Sequence, residues 1–571
     1  MTLSFTPYRF DARDGRSVDA ERGTLVVPMN RSAPGRGTVE LAVVRLPSVA
    51  GNPGPPIVFL SGGPGLSGIR WARGRWFGLF DALRSAGDVI LLDQRGSGDS
   101  TPSLACAEPL ALPMDPPLSR DEVTRAVVES TRRCAERLAE QGVDLAAFNT
   151  SESAADIASL AEGLGAPTVS LLGWSYGTHL AFAVLRQFDG LVARAVLAGP
   201  EGPDQTYKLP SRIERQLATI SVRAKSQLPD LVATLRDVLR AVEKEPARVS
   251  VTGGDGATRS IAVGRFALEW VTAEGIADPR LLARLPRWYA RMARGNFDDI
   301  ARDEVLLAYF EELHGGLNRS VVRACIDCAS GASTERWRRI EQEARTAILG
   351  RTIDFPFPEV CEALGHPDLG EAFRAPIRSD ARTLFVTGTL DARTPADNVA
   401  ELAPGFPNHR HLVVEDAGHA DLLLSASVQR EVLRFFERGE IERDRVQADV
   451  PLRFEPTRPA LIYDGECAFC RRQVARLQGR VGEAVAFETL QQADRSGIPR
   501  EDLERAVHFI DGEGKVTRGA EAVFRALAAG GKWKSMLWAY RILPGFGWAA
   551  EAAYRWVAGH RDSISRRFPR I

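Results

Sequence analysis

The chain has no apolar run approaching the roughly 20 residues that a membrane-spanning helix requires. It has almost no charge imbalance either, with 73 Lys and Arg against 74 Asp and Glu and a formal net charge of −1. No long basic run is present, which excludes non-specific nucleic-acid binding, because phosphate neutralisation needs clustered cations. The opening residues, Met1 to Arg22, are polar and of mixed charge and lack the apolar core of a signal peptide. The expected compartment is therefore the cytoplasm. Cysteine is scarce and odd in number, seven in all, which argues against a disulfide framework. Histidine is nearly as scarce, at eight, so the candidates for any histidine chemistry are few. Cys325 and Cys328 form a C-x-x-C with Cys361 nearby, but no second such pair or paired His accompanies them to complete a four-ligand zinc site, and neither a metal nor another cofactor is expected.

What is present is an ordinary globular composition, 44% hydrophobic and 26% charged, over 571 residues. That length exceeds one core and implies two or three domains. Short β-rich runs lie at Thr24–Val27, Val39–Val44, Ile57–Leu60, Val89–Leu92, Thr168–Leu172 and Ala193–Leu197. The later runs are continuously apolar, as parallel strands covered on both faces are. From about Leu209 to Phe373 the pattern turns helical, and β runs return at Thr383–Val386 and His411–Val414. The expectation is an α/β core in two parts, 1–208 and 374–435, with a helical cap, 209–373, inserted between strands six and seven. A charged, proline-containing linker, 436–459, would then lead to a separate unit over 460–571.

Gly173-Trp174-Ser175-Tyr176-Gly177 joins one of those strands to a helical run, Thr178–Arg186. Strand, sharp turn, helix, with a serine between two glycines, is the nucleophile elbow of α/β-hydrolases. Serine needs a base to take its proton, and the base needs an acid to orient it. In this fold the chain order is Ser, acid, His. Downstream histidines in the first domain are His314, His366, His409, His411 and His419, while His179 lies just past the elbow. Only His419 sits in a loop directly after a late strand, in Glu415-Asp-Ala-Gly-His-Ala-Asp421. Asp391, just past the preceding strand, is the matching acid, with Asp397 and Asp416 as substitutes. The oxyanion donors should be the Tyr176 N–H and one from Ser61-Gly-Gly-Pro-Gly65, with Gly63 preferred and Gly62 the alternative.

Ser61-Gly-Gly-Pro-Gly65, Asp93-Gln-Arg-Gly-Ser-Gly98, Asn149-Thr-Ser-Glu-Ser-Ala-Ala-Asp156 and Gly388-Thr-Leu-Asp-Ala-Arg-Thr-Pro395 together resemble the prolyl and tripeptidyl aminopeptidase branch of these hydrolases. The resemblance covers about residues 20–435. One departure is Ser61, where that branch carries His. The resemblance implies hydrolysis of a peptide or amide bond near a free N-terminus, and the branch includes esterases. An aminopeptidase must hold an ammonium, and Glu201, just past the sixth strand, is the candidate carboxylate. Secreted relatives pair positions similar to Cys106 and Cys134. With Cys325, Cys328 and Cys361 these are otherwise expected to be buried thiols.

In the second unit, Leu461-Ile-Tyr-Asp-Gly-Glu-Cys-Ala-Phe-Cys-Arg-Arg472 reads as strand, turn and helix, with Cys467 at the helix start and Cys470 one turn on. A helix N-terminus favours thiolate, and the second cysteine is placed to resolve a mixed disulfide. With Gly519–Phe524 and a tryptophan-containing tail, this unit resembles the DCC family of thiol-disulfide oxidoreductases. The combined expectation is a serine hydrolase of aminopeptidase type, acting on a small peptide or an ester. A small thioredoxin-like α/β domain, acting on a dithiol or disulfide partner, would be fused to it. The competing expectations are an esterase or lactonase with the same triad, and a protein whose main activity is dithiol exchange.

Overall fold

The computed structural model describes residues 3–567 except 109, 111, 113–116, 189, 253–257, 302, 304, 307, 310–319, 455–458, 491–497, 512–514 and 532. The chain divides into two compact units. One comprises Met1–Val222, Leu235–Leu282 and Ile300–Leu452, and the other Arg223–Thr234, Ala283–Asp299 and Arg453–Ile571.

The first unit is built on a 10-stranded sheet. Its strands in chain order are β1 (Ser4–Asp11), β2 (Ser17–Pro28), β3 (Thr38–Leu46), β4 (Ile57–Leu60), β5 (Val89–Leu92), β6 (Val169–Trp174) and β7 (Val192–Ala198). A separate hairpin, β8 (Ala247–Thr252) and β9 (Thr258–Val263), precedes β10 (Arg382–Gly388), β11 (His409–Glu415) and β12 (Arg445–Gln447). The order across the sheet is β1-β2-β3-β5-β4-β6-β7-β10-β11-β12. The first three strands and the β3–β5 pair are antiparallel, and every later pair is parallel. Alternate residues of β4 and β5 enter two different cores: Val58, Leu60, Ile90 and Leu92 one, Ile57, Phe59, Val89 and Leu91 the other. That alternation explains the continuous apolar runs, since both faces of a parallel sheet are covered. The helices that position the site are α1 (Thr150–Gly163), α2 (Tyr176–Gln187) and, in the insertion, α3 (Val322–Ser330).

Several elements differ from the sequence expectation. β1 is a mostly exposed edge strand with little apolar alternation, so no pattern announced it. It makes the insertion follow the seventh strand in the chain, although the insertion leaves the sheet where expected. That insertion is not wholly helical, because β8 and β9 pair over six residues each, with Val249 and Val251 buried. The stretch 436–459 is not only a linker. A helix, Ala426–Arg438, runs into it, and β12 pairs in parallel with β11 and buries Val446. A three-residue strand is too short to leave a period-2 signal.

The second unit carries a four-stranded sheet of β13 (Ala460–Tyr463), β14 (Ala486–Thr489), β15 (His508–Ile510) and β16 (Val516–Arg518), ordered β14-β13-β15-β16. β13 and β14 are parallel, and the other two pairs are antiparallel. Helices α4 (Ala468–Val481) and α5 (Gly519–Ala529) pack their apolar faces on this sheet through Val474, Leu477, Ala522 and Ala526. Two more helices follow, α6 (Lys534–Ile542) and α7 (Phe546–Arg567). Among the described residues no helix is long and apolar enough to cross a membrane.

Candidate active site

Ser175 stands between β6 and α2 with φ 56° and ψ −126°, a left-handed backbone that non-glycine residues rarely adopt. The turn is held by what surrounds it. A Cβ on Gly177 would come within 1.9 Å of the Leu60 carbonyl oxygen. One on Gly62 would reach 2.9 Å from Ser175 Cβ, so the Gly62 backbone abuts the serine. Neither contact tolerates a side chain, and the strain at Ser175 is maintained by that packing.

His419 Nε2 lies 2.9 Å from Ser175 Oγ, and His419 Nδ1 lies 2.9 Å from Asp391 Oδ2. The His419 backbone carbonyl accepts from Trp174 Nε1 at 3.1 Å. Asp391 is fully buried and accepts from the backbone N–H of Arg393 and of Thr394, each at 2.9 Å, and from Thr394 Oγ1 at 2.7 Å. Burial pushes its pKa up, but the His419 charge and these hydrogen bonds outweigh burial and hold it below the usual value. The carboxylate therefore stays ionised beside the ring, and it fixes the tautomer that leaves Nε2 facing the serine.

The rejected histidines are occupied elsewhere. His179 bridges the Gly202 carbonyl and Ser330 Oγ, both at 3.1 Å, and His366 meets the Leu145 carbonyl at 2.9 Å. His411 pairs with Thr387 Oγ1 at 2.8 Å, and His409 with the Phe406 carbonyl at 2.7 Å. His314 lies outside the described residues. Asp397 pairs with Arg215, and Asp416 accepts from Gln447 Nε2 at 3.2 Å.

The glycine loop is braced by Gln94 and by its own Ser61. Gln94 Nε2 donates to the Ser61 carbonyl at 3.0 Å, and Ser61 Oγ donates to the Leu66 carbonyl at 2.7 Å. Ser61 thus closes the loop where the resembled branch carries His. Arg95 is fully buried and grips both Asp156 oxygens at 2.7 Å, as well as the Met29 and Ala147 carbonyls. Two of the four quoted motifs therefore act on each other, tying the loop after β5 to α1. The Tyr176 side chain is buried, with Oη 3.3 Å from Thr150 Oγ1, and its backbone starts α2 directly after the serine.

Ser175 opens on a small cavity of about 50 Å³ whose wall includes Gly63, Glu201, Lys208, Asp327 and Asp354. Glu201 is buried and its Oε2 lies 2.7 Å from Lys208 Nζ. The charge of the expected carboxylate is therefore already matched by a lysine. Two further carboxylates share the cavity and had no signal in the sequence. Asp327, on α3, is raised to about 7, by burial first, while Arg323 at 3.2 Å opposes the rise. Asp354 is raised to about 6, again by burial first, with the Lys208 charge and its backbone N–H opposing. A second cavity, of about 960 Å³, touches the far half of the glycine loop at Gly65 and Leu66 and reaches Ala420 next to His419. Arg13, Arg70, Arg75 and Arg280 line it.

The cysteines correct one expectation. Cys106 is bonded to Cys134 and Cys328 to Cys361, and only Cys325 of the five is a buried thiol, with its pKa pushed up to about 12 by burial. Cys325 and Cys328 lie on α3, and each C-x-x-C position takes its own environment. Cys328 faces the helix Glu359–Leu364, which carries Cys361. In the second unit Cys467 is the N-cap of α4, and its Sγ accepts the Cys470 N–H at 3.2 Å. Asp464 accepts from the N–H of Glu466 at 3.0 Å and of Cys467 at 3.3 Å, shaping the turn. Cys470 is pushed up to about 12, by burial first and then by its bond to Cys467 and the charge there, so it keeps its proton.

Comparison with known proteins gives two matches to families. Residues 55–426 match the alpha/beta hydrolase fold, and residues 461–567 match the DCC1-like thiol-disulfide oxidoreductases. Serine protease Hip1 of Mycobacterium tuberculosis is 30% identical over 190 residues, 32% of this chain and 36% of that protein. Tripeptidyl aminopeptidase of Streptomyces lividans is 29% identical over 196 residues, again 32% of this chain and 36% of that protein. The chain thus spans little more than a third of the length of the curated relatives it matches. Among solved structures, a proline iminopeptidase-related protein from Thermus thermophilus aligns with a TM-score of 0.32 at 19% identity, over 73% of this chain and 96% of that one.

Proposed function

The chain belongs to the α/β-hydrolase fold family, and from that premise we propose that it is a serine hydrolase of aminopeptidase type with a DCC1-like domain at its C-terminal end. The observation that carries this reading is the line Ser175–His419–Asp391, with 2.9 Å at each step. His419 takes the Ser175 proton through Nε2 as Oγ attacks the acyl carbon, and the imidazolium that forms is stabilised by Asp391. The tetrahedral oxyanion is received by the Tyr176 and Gly63 N–H groups. His419 then gives its proton to the leaving amine, the acyl-enzyme forms, and water reverses the sequence.

The cavities give the substrate a direction. The carboxylates Glu201, Asp327 and Asp354 line the small cavity beside Ser175 together with Lys208, Arg323 and Arg393, and an incoming ammonium would be held by the carboxylates there. Glu201 is paired with Lys208 and Asp327 with Arg323, while Asp354 accepts the Lys208 N–H, so an ammonium would join an existing charge network rather than meet a free carboxylate. A space of about 50 Å³ suits one short residue on the amine side rather than three. The leaving chain would run into the larger arginine-lined cleft. An esterase or lactonase would use the same serine chemistry without a call for the carboxylates.

Hydrolysis of a chromogenic panel tests this reading. The panel holds a prolyl and an alanyl anilide, a tripeptidyl anilide, N-blocked versions of each, and a short-chain ester. Cleavage of the free-amine single-residue anilides, lost in Ser175→Ala, is expected. Cleavage of the ester alone would discard the peptidase assignment.

A second reading applies to the second unit. Cys467 accepts a backbone N–H at the start of α4 while Cys470 stays protonated, the division of labour expected of an attacking and a resolving thiol. We assign dithiol–disulfide exchange with a partner to this pair.

A further inference from the structure

Twelve large hydrophobic side chains stand exposed among the described residues, and six of them lie between Trp533 and Trp556. Trp538 is 56% exposed, Trp548 75% and Trp556 61%. These six lie close together in the chain, on or beside α6 and α7, whereas the other six are scattered along it, and exposed apolar side chains gathered in this way mark a binding face.

The placement is ordered. On α6, Lys534, Trp538, Arg541 and Ile542 fall within an arc of about 100° at helical spacing, and all four are exposed. On α7, Trp548, Arg555 and Trp556 fall within a similar arc of about 100°, and these too are exposed. The opposite side of α7 is engaged within its own unit. Tyr554 Oη accepts from the Val507 N–H at 2.8 Å, and Val557 and Arg561 line a cavity of about 350 Å³ beside Cys470. The outward face therefore combines tryptophan, aliphatic and basic side chains. From Trp533 to Arg561 the sequence holds one acidic residue, Glu551. It turns inward, accepting from Tyr540 Oη at 2.9 Å and from the Glu521 N–H at 3.1 Å.

We propose that the outward face of α6 and α7 docks the C-terminal unit on an anionic lipid surface. Tryptophan prefers the headgroup boundary, where its ring is buried and its N–H stays wet. Lys534, Arg541 and Arg555 are spaced among the rings where they would meet anionic headgroups, and such a face lies in the interface without spanning the bilayer. A second copy of the chain is the weaker occupant, because a two-fold contact would set these like charges against each other. This inference is independent of the hydrolase reading.

The test is co-sedimentation of the full chain with phosphatidylcholine vesicles, with and without phosphatidylglycerol, at low and high salt, followed by tryptophan fluorescence. Binding to the anionic vesicles with a blue-shifted emission, weakened by salt, is expected. Arg541→Glu/Arg555→Glu should bind about tenfold more weakly or worse, and Trp538→Ser/Trp548→Ser should lose the blue shift, each with an unchanged melting curve. Failure of the wild type to partition onto anionic vesicles at low salt overturns the proposal. So does a charge-reversed variant that binds equally well, or a wild-type dimer in solution that the tryptophan variant dissociates.

Discussion

Asp327 stands beside Ser175 with a carboxyl raised to about 7 by burial, and this has two consequences of opposite kind. In the unfolded chain an Asp titrates near about 3.9, so between that value and 7 the folded state holds a proton that the unfolded state has lost. The group's stabilising contribution is full below the unfolded value and disappears as pH rises through 7. Asp354, raised to about 6, acts in the same direction. Asp327→Asn should therefore flatten the loss of thermal stability from pH 5 to pH 8 and melt above the wild type at pH 8. For catalysis the effect reverses, since the ionised form is the one that holds an ammonium. The same variant should raise KM for a free-amine anilide about tenfold at pH 8, in the range of one charged hydrogen bond, and leave ester hydrolysis unchanged. A melting difference that does not vary with pH, or an unaltered KM, would sink this account of the cavity. Thr394 offers a quieter lesson at the same scale. Its hydroxyl and N–H both serve Asp391, yet in sequence it was only part of a motif quoted for resemblance.

Among the elements, the elbow was the most legible, because its glycines, strand and helix all answer to one steric demand. Gly177 cannot carry a Cβ against the Leu60 carbonyl, and that demand leaves a pattern a reader can find. The bracing elements left none. Arg95 and Asp156 are 61 positions apart, and their pairing depends on how the loop after β5 meets α1. The Cys328–Cys361 pair left no imprint for the same reason, since a separation of 33 residues becomes a short distance only in the fold, whereas Cys106–Cys134, 28 residues apart, was signalled by the family resemblance alone. Closing loops of that size contributes about 3.6 kcal/mol each in the chain-entropy account. Cys106→Ala/Cys134→Ala should lower the melting temperature with little effect on KM. Cys328→Ala/Cys361→Ala should lower it and also raise KM for free-amine substrates, because α3 carries Asp327. Thermal melts with and without reductant, paired with anilide kinetics, check this. Identical kinetic behaviour of the two double variants would contradict the placement of α3 at the substrate.

Over the whole molecule, the parallel strands were legible because two-sided burial writes itself as unbroken apolar runs, whereas the exposed edge strand β1 and the three-residue β12 carry no comparable imprint. Chain order and post-strand position narrow eight histidines to His419, which the fold brings to 2.9 Å from both Ser175 and Asp391. The carboxylate cavity could not be picked out, since Asp327 and Asp354 come from an insertion whose packing has no period to read. The central claim is that Ser175 is an activated nucleophile. Fluorophosphonate labelling followed by peptide mapping tests it most directly. The account predicts one stoichiometric adduct on Ser175, absent in Ser175→Ala and slowed about a thousandfold or more in His419→Ala. A folded wild-type protein that takes no label where a control serine hydrolase does, or a label carried by another residue, would contradict it.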